Sequence, residues 1–370
     1  MNTNALKLGA VHLIVLLVGS LILAGCASAP SEEGLISEEY AQGTSVFSFD
    51  QAEFPTVKPW TSEKFNNNPH DFQFAIIGDR TGGADARGVF NRAMDQLNLL
   101  QPEFVINVGD SVEGYSQDRD ELNAQWVEFD GIVDKLEMPF FRTVGNHDMS
   151  NDTMRQVWLE RYGPTYYHFV YGDVLFVVLN SEDTIRPAPE GLDEKIELYN
   201  RLQVEDPKKA MVLLEEFMKD ESVVAALGQP VDFGEKQVAY VSSALTQNPD
   251  VRWTCLFLHE PAWENPSDSF LAIEELLQDR DYSFFAGHLH YYDIDERHGH
   301  DYITMGPAGA SFHHDGPGNV DHILWVTMTN DGPEIAKITL EGIYDREGRD
   351  LQLKELYERK GWEEAAGDSH

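Results

Sequence analysis

Short apolar runs alternate with longer amphipathic segments from residue 72 onward, which is the pattern of strands separated by helices. Two runs, 166–170 and 175–179, flank Gly172 and Asp173 and predict a hairpin. Strand–helix alternation early in the chain and hairpins late in it indicate an α/β fold with two packed sheets. The other predicted strands cover 72–77, 104–108, 139–144, 251–258, 282–285, 302–305, 323–329 and 335–340, and the predicted helices cover 86–100 and 121–136.

A long acidic segment interrupts this pattern between residues 181 and 234. Asp206 followed by Pro207 is typical of an N-cap and a first helical position. We predict that residues 182–233 form a helical cap over one end of the sheets. The acidic stretch from Glu182 to Asp206 is interpreted as the solvated face of a helix. The helix that follows it would carry one apolar stripe of Met211, Leu214, Phe217 and Met218.

The first 26 residues differ in character from the rest of the chain. An apolar run at 13–23 leads almost directly to Cys26. This run is short of the roughly 20 residues that a membrane-spanning helix needs, and it predicts a signal peptide at 1–25. The sequence Leu23-Ala24-Gly25-Cys26 resembles the lipobox of bacterial lipoproteins, which implies cleavage before Cys26, acylation of that cysteine, and export to a bacterial membrane. An uncleaved membrane anchor is the alternative interpretation.

Composition restricts the partners and the domain organisation. The 370 residues include 64 Asp and Glu against 27 Lys and Arg, a formal net charge of −37. Because affinity for phosphate backbones comes from clustered Lys and Arg, nucleic acid polymers are not expected as partners. We predict a tether at 26–70, one large domain at 71–345, and a C-terminal helix and tail at 346–370. Cys255 lies in an apolar run and is predicted to be a small buried hydrophobe.

Most polar clusters of the predicted domain directly follow an apolar strand. In α/β sheets ligands bind beyond the carboxyl ends of the strands, so we expect these side chains to meet in one crevice. Carboxylates, an amide and imidazoles form a mixed oxygen and nitrogen set, which suits Mn, Fe, Zn or a similar divalent ion. The candidate residues are Asp79, Arg80, Thr81, Asp110, Glu113, Asn146, His147, Asp148, His259, His288 and His290.

In these blocks the chain resembles the calcineurin-like metallophosphoesterases. Gly145-Asn146-His147-Asp148 and Gly287-His288-Leu289-His290 are the most specific matches, and the resemblance extends over about 72–340. It implies a four-layer αββα sandwich and two divalent metal ions. The implied roles are Asp110 as the ligand that bridges both ions, Asp79 and His290 at the first ion, Asn146, His259 and His288 at the second, and His147 near the scissile phosphate with Asp148 hydrogen-bonded to its other ring nitrogen.

These implied roles predict metal-dependent hydrolysis of a phosphomonoester or phosphodiester. Two divalent ions about 3.5 to 4 Å apart would clamp the phosphate oxygens and provide a bridging hydroxide as nucleophile at neutral pH. His147 would stabilise or protonate the leaving oxygen. Arg80 has a planar fork that suits a pair of phosphate oxygens, and a salt bridge to a nearby carboxylate is the equal alternative. The identity of the phosphorylated small molecule stays open.

The chain also departs from the family pattern. Thr81 stands where the commonest form of the family has a second first-site histidine, and Glu113 stands where the similar purple acid phosphatases have a tyrosine. Glu113, Tyr115 or water would then complete an oxygen-rich first site. The alternative function is a noncatalytic surface lipoprotein that keeps the fold as a binding module. A second histidine cluster, His313-His314-Asp315, is predicted to be an exposed loop, with pocket lining as the alternative.

Overall fold

A computed structural model describes residues 46–65, 71–81, 87–186, 189–311 and 318–340. The strands are β1 (Phe47–Ser48), β2 (Gln73–Ile77), β3 (Val105–Asn107), β4 (Phe140–Phe141), β5 (Tyr167–Tyr171), β6 (Val174–Val178), β7 (Trp253–Phe257), β8 (Tyr282–Ala286), β9 (Asp293–Arg297), β10 (His300–Thr304), β11 (His322–Thr329) and β12 (Gly332–Thr339). The α-helices are α1 (Val89–Leu100), α2 (Arg119–Val133), α3 (Asn146–Met149), α4 (Asp152–Tyr162), α5 (Leu192–Glu205), α6 (Pro207–Phe217), α7 (Glu221–Leu227), α8 (Glu235–Gln247) and α9 (Asp268–Leu276).

The strands form two mixed sheets. One sheet has the strand order β12-β11-β2-β3-β4, and the other has the order β1-β5-β6-β7-β8-β10-β9. Strands β2, β3 and β4 run parallel to one another, as do β6, β7, β8 and β10. The carboxyl ends of parallel strands lie at one edge of a sheet, so the loops after these strands share that edge.

Side chains alternate between two hydrophobic cores along each central strand. In β2, Phe74 and Ile76 pack between the sheets, against residues such as Phe176 of the other sheet. Ala75 and Ile77 point the opposite way, into a core that includes α1, α2 and α4. A third core lies between the outer face of the larger sheet and α8 and α9. The layers are therefore helix, sheet, sheet and helix, which confirms the expected αββα sandwich.

The predicted hairpin is present and has the turn that its sequence favours. Strands β5 and β6 pair antiparallel, with Tyr171 opposite Val174. The two residues between them, Gly172 and Asp173, have φ angles of 53° and 61°. A two-residue hairpin loop with positive φ at both positions twists in the same sense as the strands. Cys255 is fully buried in β7, as predicted.

Two sequence expectations need correction, and one strand was not predicted. Residues 46–65 are part of the folded domain and not of a tether, because β1 pairs with β5 and Trp60 is buried among aromatic rings. Strand β9 was not predicted, since Asp293–Arg297 is an edge strand in which charged residues predominate. The apolar stripe of α6 is wrong in part: Met211 and Met218 are exposed, and Phe217 packs with Leu213 into the cap core.

The segment between β6 and α8 contains helices α5, α6 and α7. Helix α6 begins at Pro207, and its N-cap Asp206 accepts a hydrogen bond from the main-chain N–H of Lys209, as predicted. The three helices share a small core in which Leu192 and Val223 are buried. No helix in the described ranges has the length and apolar content needed to cross a bilayer. The signal peptide, Cys26, residues 313–315 and residues 346–370 lie outside the described residues.

Candidate metal centre

The strand-end side chains of both sheets meet at one edge of the sandwich. Asp79 follows β2, Asp110 follows β3, and Asn146 begins α3 after β4. His259 follows β7 of the other sheet, and the histidines of the Gly-His-Leu-His block follow β8. The expected crevice is therefore formed by loops from both sheets.

One group of side chains at this edge consists of Asp79, Asp110 and His290. All three are buried, and one potential ligand atom from each lies within 4.8 Å of the others. His290 Nε2 is 3.1 Å from Asp79 Oδ2, while its Nδ1–H donates to the carbonyl of Ser311. Asp79 Oδ1 is buried and has no hydrogen-bond partner among the described residues. A buried carboxylate oxygen without a donor is suited to a cation.

A second group is built from Asn146, His259 and His288, with Asp110 between the two groups. Asn146 Oδ1 lies 2.8 Å from His259 Nε2 and 3.0 Å from His288 Nδ1. The two imidazole nitrogens are 3.2 Å apart, and Asp110 Oδ2 is 3.2 Å from His259 Nε2. Atoms that each bind one ion at about 2.1 Å lie roughly 3.0 to 3.4 Å from one another. Three of the four distances in this group lie in that range, and the fourth, 2.8 Å, is close to it.

Hydrogen bonds on the side away from the group fix the orientation of these side chains. His259 Nδ1–H donates to the carbonyl of Val108 over 2.8 Å, which turns the Nε2 lone pair toward the group. The Asn146 amide donates to the hydroxyl of Tyr115, also over 2.8 Å, which turns Oδ1 the same way. Lone pairs that face each other at hydrogen-bond distance repel unless a proton or a cation lies between them. The donor set therefore fits divalent metal ions.

The charges of the group favour a bound cation. Burial raises the pKa of Asp110, but the neighbouring His259, His147 and His288 outweigh it and hold that pKa below its ordinary value. Burial lowers the pKa of His259, yet Asp110 raises it well above the ordinary value. Burial and His259 together lower the pKa of His288 to about 4. A proton shared by Asp110 and His259 would be displaced when a metal ion binds.

The main chain is strained where it presents these side chains. Asp110, Tyr115, His288 and His290 have φ angles of 54°, 53°, 68° and 56°, a region that residues other than glycine rarely adopt. Such strain concentrates at functional sites, where the surrounding structure enforces it. A Cβ atom on Gly287 would lie 2.2 Å from Asp79 Oδ1, so only glycine permits this close approach of the main chain.

The model of the calcineurin-like phosphoesterase family matches residues 72–306, well over half of the chain and all of these strand ends. This chain belongs to that family. It is accordingly a metal-dependent hydrolase of phosphoric esters. No curated protein sequence matches it significantly.

Two solved structures have similar folds. A dimetal phosphatase from Danio rerio is 16% identical with a TM-score of 0.50, and the match covers 73% of this chain and 99% of that chain. A purple acid phosphatase from yellow lupin (Lupinus luteus) is 12% identical with a TM-score of 0.48, over 74% of this chain and 52% of that chain. At these identities the likeness concerns the fold alone.

One expected contact of this phosphoesterase is wrong. Asp148 does not bind the ring of His147, whose Nδ1–H donates instead to the carbonyl of Glu113 over 2.8 Å. Asp148 lies in the first turn of α3, and its carboxylate accepts main-chain N–H groups from Ser111, Val112 and Gly145. Main-chain N–H groups of the loop after β3 and of the start of α3 attract a carboxylate more directly than a neutral ring does. Burial and Asp110 raise the pKa of Asp148 to about 8.

Arg80 adopts the salt bridge that was its alternative assignment. Its Nη2 donates to both carboxylate oxygens of Glu128, at 2.8 and 2.7 Å, and Nη1 donates to the carbonyl of Ser111. Thr81 lies at the centre, where its hydroxyl is 3.4 Å from Asp110 Oδ2. Glu113 contributes its main-chain carbonyl to His147, as described above.

A cluster of charged side chains that the sequence did not predict lies beside the centre. Glu182 is buried, although the segment that it begins was interpreted as solvated. Arg186 binds Glu260 through both of its terminal nitrogens and also donates to Glu182 over 3.0 Å. Burial and Glu260 raise the pKa of Glu182 to about 7. The position of both glutamates after a strand could have predicted them near the site, because Glu182 lies just after β6 and Glu260 just after β7.

Proposed function

We propose that this chain hydrolyses phosphomonoesters or phosphodiesters at a dinuclear divalent-metal centre. Asp79, Asp110 and His290 would hold one ion, and Asn146, His259, His288 and Asp110 would hold the other. The observation that carries the proposal is the inward convergence of Asn146 Oδ1, His259 Nε2 and His288 Nδ1 within 3.2 Å of one another. Manganese, iron or zinc suits this mixed set of oxygen and nitrogen donors.

Bound divalent ions would neutralise the phosphate charge and make a water molecule acidic enough to act as nucleophile near neutral pH. The chain contributes the position of the shared carboxylate. The main-chain N–H of His147 donates to Asp110 Oδ1 over 3.0 Å, and Thr81 contacts Oδ2. Held from both sides, Asp110 can face both groups of ligands at once.

His147 is the proton donor to the leaving oxygen in this proposal. Its ring packs edge-on against Tyr115, with centroids 5.0 Å apart, and its Nδ1–H is fixed on the Glu113 carbonyl. Nε2 is thereby directed toward the centre and lies 4.0 Å from Asp110 Oδ2. A protonated Nε2 can donate to an oxygen on which negative charge develops.

The test replaces the shared carboxylate. Asp110→Asn keeps the size of the side chain but removes one negative charge, so we expect p-nitrophenyl phosphate hydrolysis to fall at least about 1,000-fold and bound metal to fall below two ions per chain. Asp173→Asn, at an exposed turn with φ of 61°, is the matched control and should retain full activity. Hydrolysis at the wild-type rate by Asp110→Asn would refute the mechanism. Metal binding without any hydrolysis by the wild type would instead favour a noncatalytic binding module.

We further propose that the enzyme is exported and held on a bacterial membrane through an acylated Cys26. The support is the apolar run at 13–23 followed by the lipobox-like Leu23-Ala24-Gly25-Cys26. Stable anchoring requires more than one acyl chain, which a lipidated N-terminal cysteine can supply. Labelling with a radioactive fatty acid should mark the wild type and not Cys26→Ser, and Cys26→Ser should leave the membrane fraction. An unlabelled wild-type protein would overturn this assignment.

A further inference from the structure

A cavity of about 270 Å³ separates the candidate metal centre from the helical cap. Asn146 and His288 line one end of it, together with Tyr115. The cap lines the other end, through residues of α5 and α7 and the segment that leads to them. Any group attached to a phosphate at the centre and directed toward the cap would enter this space.

The cap side of the cavity has an apolar wall. It consists of Ile185, Leu192, Ile196, Ala226 and Leu227, and the same side is also lined by Thr184, Arg186 and Asp193. Leu192 is buried in the cap core, and Ile196 and Ala226 pack against that core, so the wall has a packed support behind it. Ile185 and Leu227 are 64% and 56% exposed, which extends the apolar surface from the cavity to the outside.

Several polar side chains around the same cavity already satisfy one another. Arg186 is bound to Glu260 and Glu182, and Glu182 also accepts a hydrogen bond from Ser181. Groups that are already paired have little capacity left for the hydroxyls of a sugar or the edges of a base. Sites that select polar ligands provide hydrogen-bonding groups that the ligand completes. Arg155, whose Nε has no hydrogen-bond partner among the described residues, and Asp193 also line the cavity. It is therefore the apolar wall of the cap side that favours a hydrocarbon group.

We propose that this cavity binds the alcohol portion of the substrate, and that this portion is a hydrocarbon chain or ring. The substrate class is then a phosphoric ester of an apolar alcohol, with the phosphate at the metal centre and the hydrocarbon against the cap. This assignment rests on the proposed function, because it places the phosphate of the substrate at that centre. Ile185 and Leu227 are the residues that determine specificity.

The experiment compares kcat/KM for n-alkyl phosphates of increasing length, from ethyl to octyl, with metal-loaded enzyme. Burying each additional methylene against the cap should raise kcat/KM about fourfold until the cavity is filled. Ile185→Ser with Leu227→Ser should flatten this dependence, and Leu271→Ser, an exposed leucine outside the cavity, should not. The proposal would be overturned if kcat/KM of the wild type did not change with chain length, or if every alkyl phosphate had a lower kcat/KM than glucose 6-phosphate.

A second measurement uses the metal-free protein and does not depend on catalysis. Titration calorimetry with 1-octanol should show saturable binding that weakens at least about fivefold in the Ile185→Ser and Leu227→Ser double variant, and not in Leu271→Ser. Absence of saturable binding to the wild type contradicts the cavity assignment. Saturable octanol binding with no hydrolysis of any ester contradicts the proposed function and leaves the cavity assignment in place.

Discussion

Two histidines at this centre are anchored in the same way but differ in exposure and in their distance from Asp110. His259 is anchored by a carbonyl at Nδ1 and faces Asp110 and Asn146 with Nε2. His147 is anchored in the same way by the Glu113 carbonyl, but its Nε2 is 4.0 Å from Asp110 and 14% of its side chain is exposed. The buried ring is placed as a ligand, and the partly exposed one is placed to reach a substrate.

The role of His147 predicts how its replacement depends on the leaving group. In His147→Gln the proton donor is lost and the ligand side chains are unchanged, so metal content should stay at the wild-type value. Hydrolysis of alkyl phosphates should fall about 100-fold or more, since general acid catalysis contributes about that much, and hydrolysis of 2,4-dinitrophenyl phosphate should fall much less. The measurement is kcat for a series of leaving groups. An equal loss of kcat for all leaving groups would show that His147 is not the proton donor.

Arg80 is expected to contribute to stability and not to phosphate binding. It is buried beside the rings of Phe90 and Phe129, and its charge is paired with Glu128, whose side chain is 56% exposed. Arg80→Met should lower the free energy of unfolding by about 1 to 3 kcal/mol, because Glu128 can be hydrated after the loss. The KM for an aryl phosphate should change less than twofold. Urea denaturation and steady-state kinetics measure both quantities, and a tenfold rise in KM at unchanged stability would restore the phosphate-binding role.

At the scale of elements, the loops after β2, β3, β4 and β8 approach one another so closely that Gly145 and Gly287 leave no room for a side chain. A Cβ on Gly145 would lie 2.3 Å from Asp110 Oδ1, and one on Gly287 would lie 2.2 Å from Asp79 Oδ1. These contacts couple the main chain of one loop to the ligand of another. The loops therefore form one unit, and a change in one of them displaces carboxylates on the next.

Gly287→Ala tests this coupling. The new methyl group must displace Asp79, so metal affinity should fall at least about tenfold and hydrolysis at least about 100-fold. Gly131→Ala is the matched control, since its Cβ in α2 would meet nothing within 4 Å, and a helical alanine should raise stability by about 0.5 to 1 kcal/mol. Metal titration and thermal unfolding measure the two effects. Normal metal affinity in Gly287→Ala would show that the loops are not coupled.

Helices and strands whose apolar residues recur with a clear period were predictable from the sequence. The contacts between these elements were not. The strands and the converging side chains follow from apolar runs that each end in a polar block. The partners of Asp148 were missed because they are main-chain N–H groups of the loop after β3 and of the start of α3, whose approach to this side chain the sequence does not show. Glu182 was missed because the charge of its segment suggested exposure to solvent, whereas an ion pair with Arg186, which also binds Glu260, stabilises it in the interior. The burial of α6 depends on α5 and α7, whose packing the local pattern does not specify.

At the scale of the whole molecule, the net charge of −37 makes the protein repel itself. The Debye length, beyond which exposed charges are largely screened from one another, falls from about 10 Å at 0.1 M salt to about 3 Å at 1 M. The midpoint of thermal unfolding should therefore rise between 0.01 and about 0.5 M NaCl, by several degrees. Calorimetry at fixed pH, with the uncharged solute sucrose as a control for viscosity and osmolarity, measures the shift. A midpoint that falls with salt would mean that attractive ion pairs outweigh the repulsion.

The same acidity would exclude phosphate from the surface unless the centre carries positive charge. Bound divalent ions supply that charge locally, and they are often the largest charges in a site. The activity of the molecule should therefore depend on its metal content in a stoichiometric way.

The most direct measurement is a titration of metal-free protein with Mn²⁺ or Zn²⁺, in which bound metal and p-nitrophenyl phosphate hydrolysis are determined at each step. We predict that the metal-free protein is inactive, that the rate reaches its maximum at two ions per chain, and that a chelator abolishes it. Full activity in metal-free protein, or a maximum at one ion per chain, would contradict the dinuclear mechanism.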